Sequence, residues 1–276
     1  AFREKERVPS EDEQYGFYCE TLRLAEGRRV VFRTLDIGGD KPLAYFRTPQ
    51  ESNPVLGWRG IRISFGLMDL FYTQTRALLR ASVHGPTAIL LPMISTVEEV
   101  EVARAAIGQI REDLAQEGIP FAEDVQLGAM IEVPAAAFVL EEILDRVDFI
   151  SVGTNDLAQY LLAVDRDNPR VARFYDPYHP AVMRLLAQIA ATCSGKGREC
   201  AVCGEMAGDY HLTMTLLGLG FRTLSMAPVF IPRVKLILTE TTLQECTQQA
   251  CKAPALPTAA PVKEFLKVEA RPRARR

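Results

Sequence analysis

A (β/α)8 barrel of the TIM type is the architecture this sequence predicts, and three observations lead to it. Short apolar runs alternate with segments of helical spacing along most of the chain, the pattern of parallel strands joined by crossover helices. No dinucleotide fingerprint accompanies them, and the IGGDK turn (37–41) lacks the P-loop pattern, which argues against an open nucleotide-binding sheet. Strand after strand also ends in a charged or reactive side chain. In a barrel those ends share one mouth, where active sites lie.

The elements follow in order. Glu11–Leu24 has helical spacing, with Ser10 as its N-cap candidate. Arg29–Asp36 is strand-like, and residues 41–56, with three prolines, read as a long loop. Gly57–Ile63 is expected as a short strand, and Asp69–Ala81 returns to helical spacing. Ala88–Met93 reads as a buried strand, and Ser95 is expected to cap a long amphipathic helix from Val97 to about Gln116. Val125–Glu132 is the next strand, with Pro134 opening a helix that ends near Asp145. A helix over 180–192, a strand at Cys200–Cys203, a helix at His211–Gly218 and a last short strand at Leu224–Met226 follow. The count is seven strand candidates where a closed barrel needs eight. Residues 1–253 are expected to form the barrel domain, and 254–276, Ala/Pro-rich and ending in RPRARR, a solvated basic tail.

The remaining strand opens the stretch Asp148–Tyr160, DFISVGTNDLAQY, around which the chain is organised. Its apolar run stops at Gly153, and Thr154-Asn155-Asp156 then present three short polar groups before a helix. Two readings are open for these groups: Asn155 or Asp156 caps the helix, or Asp156 holds a hard cation.

Composition narrows the function classes. The chain has 276 residues, 48% hydrophobic and 24% charged, with a formal net charge of -3. That balance carries no electrostatic footprint for nucleic acid. No apolar run reaches the roughly 20 residues of a membrane span, so no membrane partner is expected. AFREKERVPSEDEQ at the N-terminus has no apolar signal core, and a cytoplasmic location is expected. Six cysteines, at 19, 193, 200, 203, 246 and 251, are too scattered for a disulfide framework. Cys200-x-x-Cys203 lacks the second ligand pair that zinc would need.

The polar strand ends are Arg33 and Asp36, Arg59, Glu132, Asn155 and Asp156, and Cys203 and Glu205. Structural ion pairing explains such residues one at a time. Gathered at one mouth, two carboxylates with open positions suit Mg²⁺, and arginines match phosphate and carboxylate oxygens in bidentate fashion. The chemistry that fits is enolate or phosphoryl chemistry on a small phosphorylated acid.

FRTLDIGGDK (32–41), NPVLGWRGIRI (53–63), MIEVPAA (130–136), ISVGTNDLAQYLLAVDRDN (150–168) and CGEMAGD (203–209) resemble the phosphoenolpyruvate (PEP)-binding barrel of enzyme I, the PEP-protein phosphotransferase of the sugar phosphotransferase system. WRGIRI, YDPYHPAV and GEMAGD look closer to its nitrogen-related paralogue. The resemblance covers the chain to about Ala253. It implies a PEP/pyruvate-binding barrel in which Arg33 and Arg59 bind the phosphoryl group, Glu132 and Asp156 ligate Mg²⁺, and Asn155 and Asp156 contact the substrate. Arg166 would complete the anion site, with Arg80 a weaker candidate. Cys203 would protonate the enolate carbon of pyruvate. The resemblance also implies a homodimer and a phosphocarrier partner of the HPr type, engaged through an N-terminal domain that carries the phosphorylated histidine.

Two departures from the family accompany this. None of His84, His179 and His211 has the Gly-rich Ser-His context of that histidine, and the family's first strand, bearing Arg-Thr-Glu, is expected to precede Ala1. The expectation is therefore a fragment that binds PEP without completing transfer, with exposed sheet edges. Two other readings are a pyruvate phosphate dikinase or PEP synthase barrel, and a non-catalytic PEP-sensing dimerisation module.

Overall fold

The computed structural model describes residues 7–38 and 51–269. Part of the IGGDK turn and most of the predicted 41–56 loop lie outside the described residues. The chain divides into two compact units. One holds the described residues up to Met130 together with Arg146–Asp148; the other holds Ile131–Asp145 and everything from Phe149.

The first unit runs α1 (Glu11–Leu24), β1 (Val30–Arg33), α2 (Ile61–Gly66), α3 (Met68–Ala81), β2 (Thr87–Leu91), α4 (Val97–Gln116) and all but the last residue of β3 (Gln126–Ile131). β1 pairs with β2 and β2 with β3, all parallel, with Phe32 opposite Ile89 and Ile89 opposite Leu127. Every residue of β2 is buried, as expected of a parallel strand covered on both faces. α4 forms because Val100, Ala103, Ile107, Ile110 and Leu114 recur at steps of three and four and make one buried stripe. Its N-cap is Thr96 rather than Ser95. Thr96 Oγ1 accepts from Glu99 N–H, while the Glu99 carboxylate takes the N–H groups of Ser95 and Thr96, a capping box shifted one residue from expectation.

The predicted strand at Gly57–Ile63 is not one. A 3-10 turn at Pro54–Leu56 precedes Gly60, whose φ of +56° takes the chain into α2. Arg62 donates to the carbonyls of Leu56 and Gly57 at 3.0 Å each, and Trp58 Nε1–H donates to Arg62 O at 3.2 Å. Buried Ile61 and Ile63 imitate strand alternation, which two apolar positions cannot distinguish from one helical turn.

The second unit runs α5 (Pro134–Phe138), α6 (Leu140–Leu144), β4 (Phe149–Gly153), α7 (Thr154–Leu161), α8 (Pro180–Gly195), β5 (Glu199–Cys203), α9 (Glu205–Gly208), α10 (Thr213–Leu219), β6 (Thr223–Leu224), α11 (Ile231–Glu240), α12 (Leu243–Lys252) and α13 (Ala259–Glu269). The single helix expected from Pro134 to Asp145 is two, because Val139 leaves helical geometry at φ −115° and ψ 28°. β4, β5 and β6 pair in parallel in that order. The described residues are thus an α/β fold with six strands rather than the seven counted from sequence.

Part of the expected tail is structured. Val262 and Leu266 of α13 are fully buried, and Lys263 pairs with Asp176 at 2.9 Å. All six cysteines are free thiols. No helix among the described residues is long and apolar enough to cross a membrane.

Candidate functional site

In the first unit the candidate residues collect around Asp36. Arg33 closes β1, and its guanidinium lies 3.5 Å from Asp36 Oδ2. Arg59, delivered by the turn before α2, reaches Asp36 Oδ1 at 3.6 Å. The Asp36 and Arg59 side chains are wholly buried, whereas that of Arg33 is 43% exposed. Arg80 is elsewhere in its unit, paired with Glu11 and Asp12, and takes no part.

Glu132, Asn155, Asp156, Arg166 and Cys203 all belong to the second unit. The register of β4 on β5 sets Gly153 opposite Cys203, so the loops leaving the two strands start side by side. Thr154, wholly buried, uses its hydroxyl to donate to Cys203 O at 2.7 Å. Asp156 follows on the first turn of α7, 5% exposed, with an Arg166 guanidinium nitrogen 3.3 Å from its Oδ1. Arg166 is steadied by its own N–H, which donates to Gln159 Oε1 at 3.0 Å. The Cys203 thiol, half-buried at the end of β5, donates to Val152 O at 3.3 Å. Glu132, one residue past β3, is 2% exposed.

The capping alternative for Asn155 and Asp156 does not hold, since the N-cap of α7 is Gly153 and no side chain caps this helix. The Asn155 carboxamide faces Glu205 instead. Its Oδ1 accepts from Glu205 N–H at 3.0 Å, and its Nδ2–H donates to Glu205 Oε1 at 3.4 Å.

Sequence reasoning gave no role to Tyr175, whose hydroxyl donates to Asn155 O at 3.5 Å. Burial pushes its pKa up to about 12, with Arg166 opposing the rise and Glu205 and Asp156 adding to it. Asn155, Tyr175, Glu205, Met206, Tyr210 and Arg233 are among the residues that line a cavity of about 440 Å³. The Arg233 guanidinium stacks over the Tyr210 ring at 3.4 Å. Burial raises the pKa of Tyr178, and its hydrogen bond with Asp209, 31 positions along the chain, raises it further.

The donor chemistry bears on a metal. Among the described residues no three His, Cys, Asp or Glu side chains gather as a closed cage. Glu132 and Asp156 are both buried carboxylates, the ligand type that Mg²⁺ takes from a protein while it keeps waters and takes oxygens from a phosphorylated substrate.

Residues 1–243 match the family model described as PEP-utilising enzyme, PEP-binding domain. A phosphoenolpyruvate-protein phosphotransferase of Buchnera aphidicola is 42% identical over 251 residues, 91% of this chain and 44% of that protein. The protein of that name from Haemophilus influenzae is 40% identical over 265 residues, 96% of this chain and 46% of its own. Multiphosphoryl transfer protein 2 of Escherichia coli is 40% identical over 265 residues, 96% of this chain and 32% of that one. The chain therefore spans less than half the length of these relatives. It belongs, through residues 1–243, to the PEP-utilising enzymes, as their PEP-binding domain.

Proposed function

We propose that the chain is the PEP-binding catalytic domain of a phosphoenolpyruvate-protein phosphotransferase. In this reading Arg33, Arg59 and Arg166 neutralise the phosphoryl and carboxylate oxygens of PEP, and Asn155 and Asp156 orient it. Glu132 and Asp156 would hold Mg²⁺. When bound, the ion would withdraw charge from the phosphoryl oxygens and the enolate oxygen. A histidine of another domain of the longer protein takes the phosphoryl group in line, forming an N–P bond as the P–O bond of PEP breaks. The Cys203 S–H gives its proton to C3 of the departing enolate, leaving pyruvate and a thiolate that solvent reprotonates.

The observation that carries this reading is the β4–β5 register. It sets the Asn155–Asp156 pair and the Cys203 thiol at the ends of adjacent parallel strands, where an α/β site collects its chemistry. A closed (β/α)8 barrel, a homodimer, a cytoplasmic setting and a phosphocarrier of the HPr type as eventual acceptor belong to the same proposal. WRGIRI and GEMAGD favour the nitrogen-type paralogue over the one serving sugar transport.

The test is thermal unfolding with oxalate, a mimic of enolpyruvate, with and without Mg²⁺. A Mg²⁺-dependent rise in Tm that Glu132→Ala abolishes is the expected result. No rise in the unaltered chain overturns the proposal, and a rise that survives Glu132→Ala overturns the metal assignment.

A further inference from the structure

Asn155 and Glu205 are related by register as well as by contact. Gly153 and Cys203 pair across β4 and β5, and each of the two residues stands two positions past its member of that pair. The contact runs both ways: Glu205 N–H reaches Asn155 Oδ1 at 3.0 Å, and Asn155 Nδ2–H reaches Glu205 Oε1 at 3.4 Å. A backbone N–H can only donate, so the carboxamide oxygen must face it, and the amide is held against a flip. Two of its four hydrogen-bonding positions are used, which leaves one Nδ2–H and one oxygen lone pair for another partner. The backbone is held too, because Tyr175 donates to Asn155 O.

Resting on the PEP reading above, we propose that Glu205 is a positioning residue. It sets the rotamer of Asn155 so that the remaining Nδ2–H is committed to the bound anion before PEP arrives. An exposed carboxylate beside an anion site is otherwise a liability, since its charge repels an incoming phosphate. The two roles separate by substitution. Glu205→Gln keeps the acceptor and removes the charge, whereas Glu205→Ala removes both.

The experiment is calorimetric titration of PEP with Mg²⁺ into this chain, its Glu205→Ala and its Glu205→Gln variants, with the unliganded Tm of each recorded. The expected result is binding about tenfold weaker for Glu205→Ala, the worth of one hydrogen bond near a charged ligand. Glu205→Gln should stay within about twofold of the unaltered chain, and all three should share one unliganded Tm. Affinity that is unchanged in both variants, or that rises in both, overturns the positioning role. So does equal weakening in both, because the acceptor retained by Gln would then be irrelevant. If the unaltered chain itself fails to bind PEP, the functional reading falls and takes this inference with it. Binding that is intact and indifferent to residue 205 removes the inference alone.

Discussion

Arg59 faces Asp36 with neither side chain open to water, a guanidinium nitrogen 3.6 Å from Oδ1. The pair joins the end of the β1 segment to the turn before α2, and Arg33 shares the same carboxylate. Removing the acid takes this carboxylate from two guanidinium groups at once, which costs more than the pair contributes net. Asp36→Asn is expected to lower unfolding stability by about 3–5 kcal/mol. Urea denaturation followed by far-ultraviolet circular dichroism measures it, and a loss below about 1 kcal/mol would mean that Arg59 does not depend on Asp36.

Gly204 has φ +91°, and a Cβ there would lie 2.6 Å from Thr154 Oγ1 and 2.8 Å from Asn155 Oδ1. Gly204→Ala therefore strains the backbone and drives the Asn155 amide from its place. The expected outcome is a stability loss of about 1–3 kcal/mol, together with weaker PEP binding in calorimetry.

Thr154 is wholly buried, and its hydroxyl serves the carbonyl of Cys203. Thr154→Val keeps the shape and deletes the donor, leaving a part-buried carbonyl with one partner fewer. About 1–3 kcal/mol should be lost, read as a lower urea midpoint at unchanged slope.

Tyr18 gives a pH prediction. It is 4% exposed, donates to Gln14 Oε1 and accepts from Gln74 Nε2, each at 3.2 Å. Burial pushes its pKa from the ordinary 10.0 up to about 12, and the hydrogen bond from Gln74 opposes the shift. Because the folded value is raised, the stabilisation is complete below pH 10 and is lost as pH climbs towards 12. Roughly 2–3 kcal/mol should disappear over that window, and Tyr18→Phe should flatten the decline. Alkaline denaturation curves of both proteins decide it.

The sequence was most readable where one periodicity ran long. The α4 stripe declares itself over five buried positions, and the apolar runs of β2 and β4 could only be covered strands. Legibility failed where two or three residues had to decide, as at Ile61–Ile63, where a positive φ at Gly60 overruled an apparent alternation. At the site, Arg59 was picked out as a polar residue ending a strand, although it stands in a turn. Asn155 was singled out by its motif, yet its engagement with Glu205 depends on strand register, which no local spacing encodes. Tyr175 lies 20 positions from Asn155 in a stretch with no regular period, so only the folded chain brings its hydroxyl to that carbonyl.

The family match stops at residue 243, but the folded body continues. Cys246, Ala250, Val262 and Leu266 are all buried beyond that point. Trimming the polypeptide to the matched borders would therefore bare an oily surface and invite clumping rather than yield a tidy minimal domain. Protease digestion of the native chain should accordingly leave a resistant piece whose C-terminal border falls after Leu266.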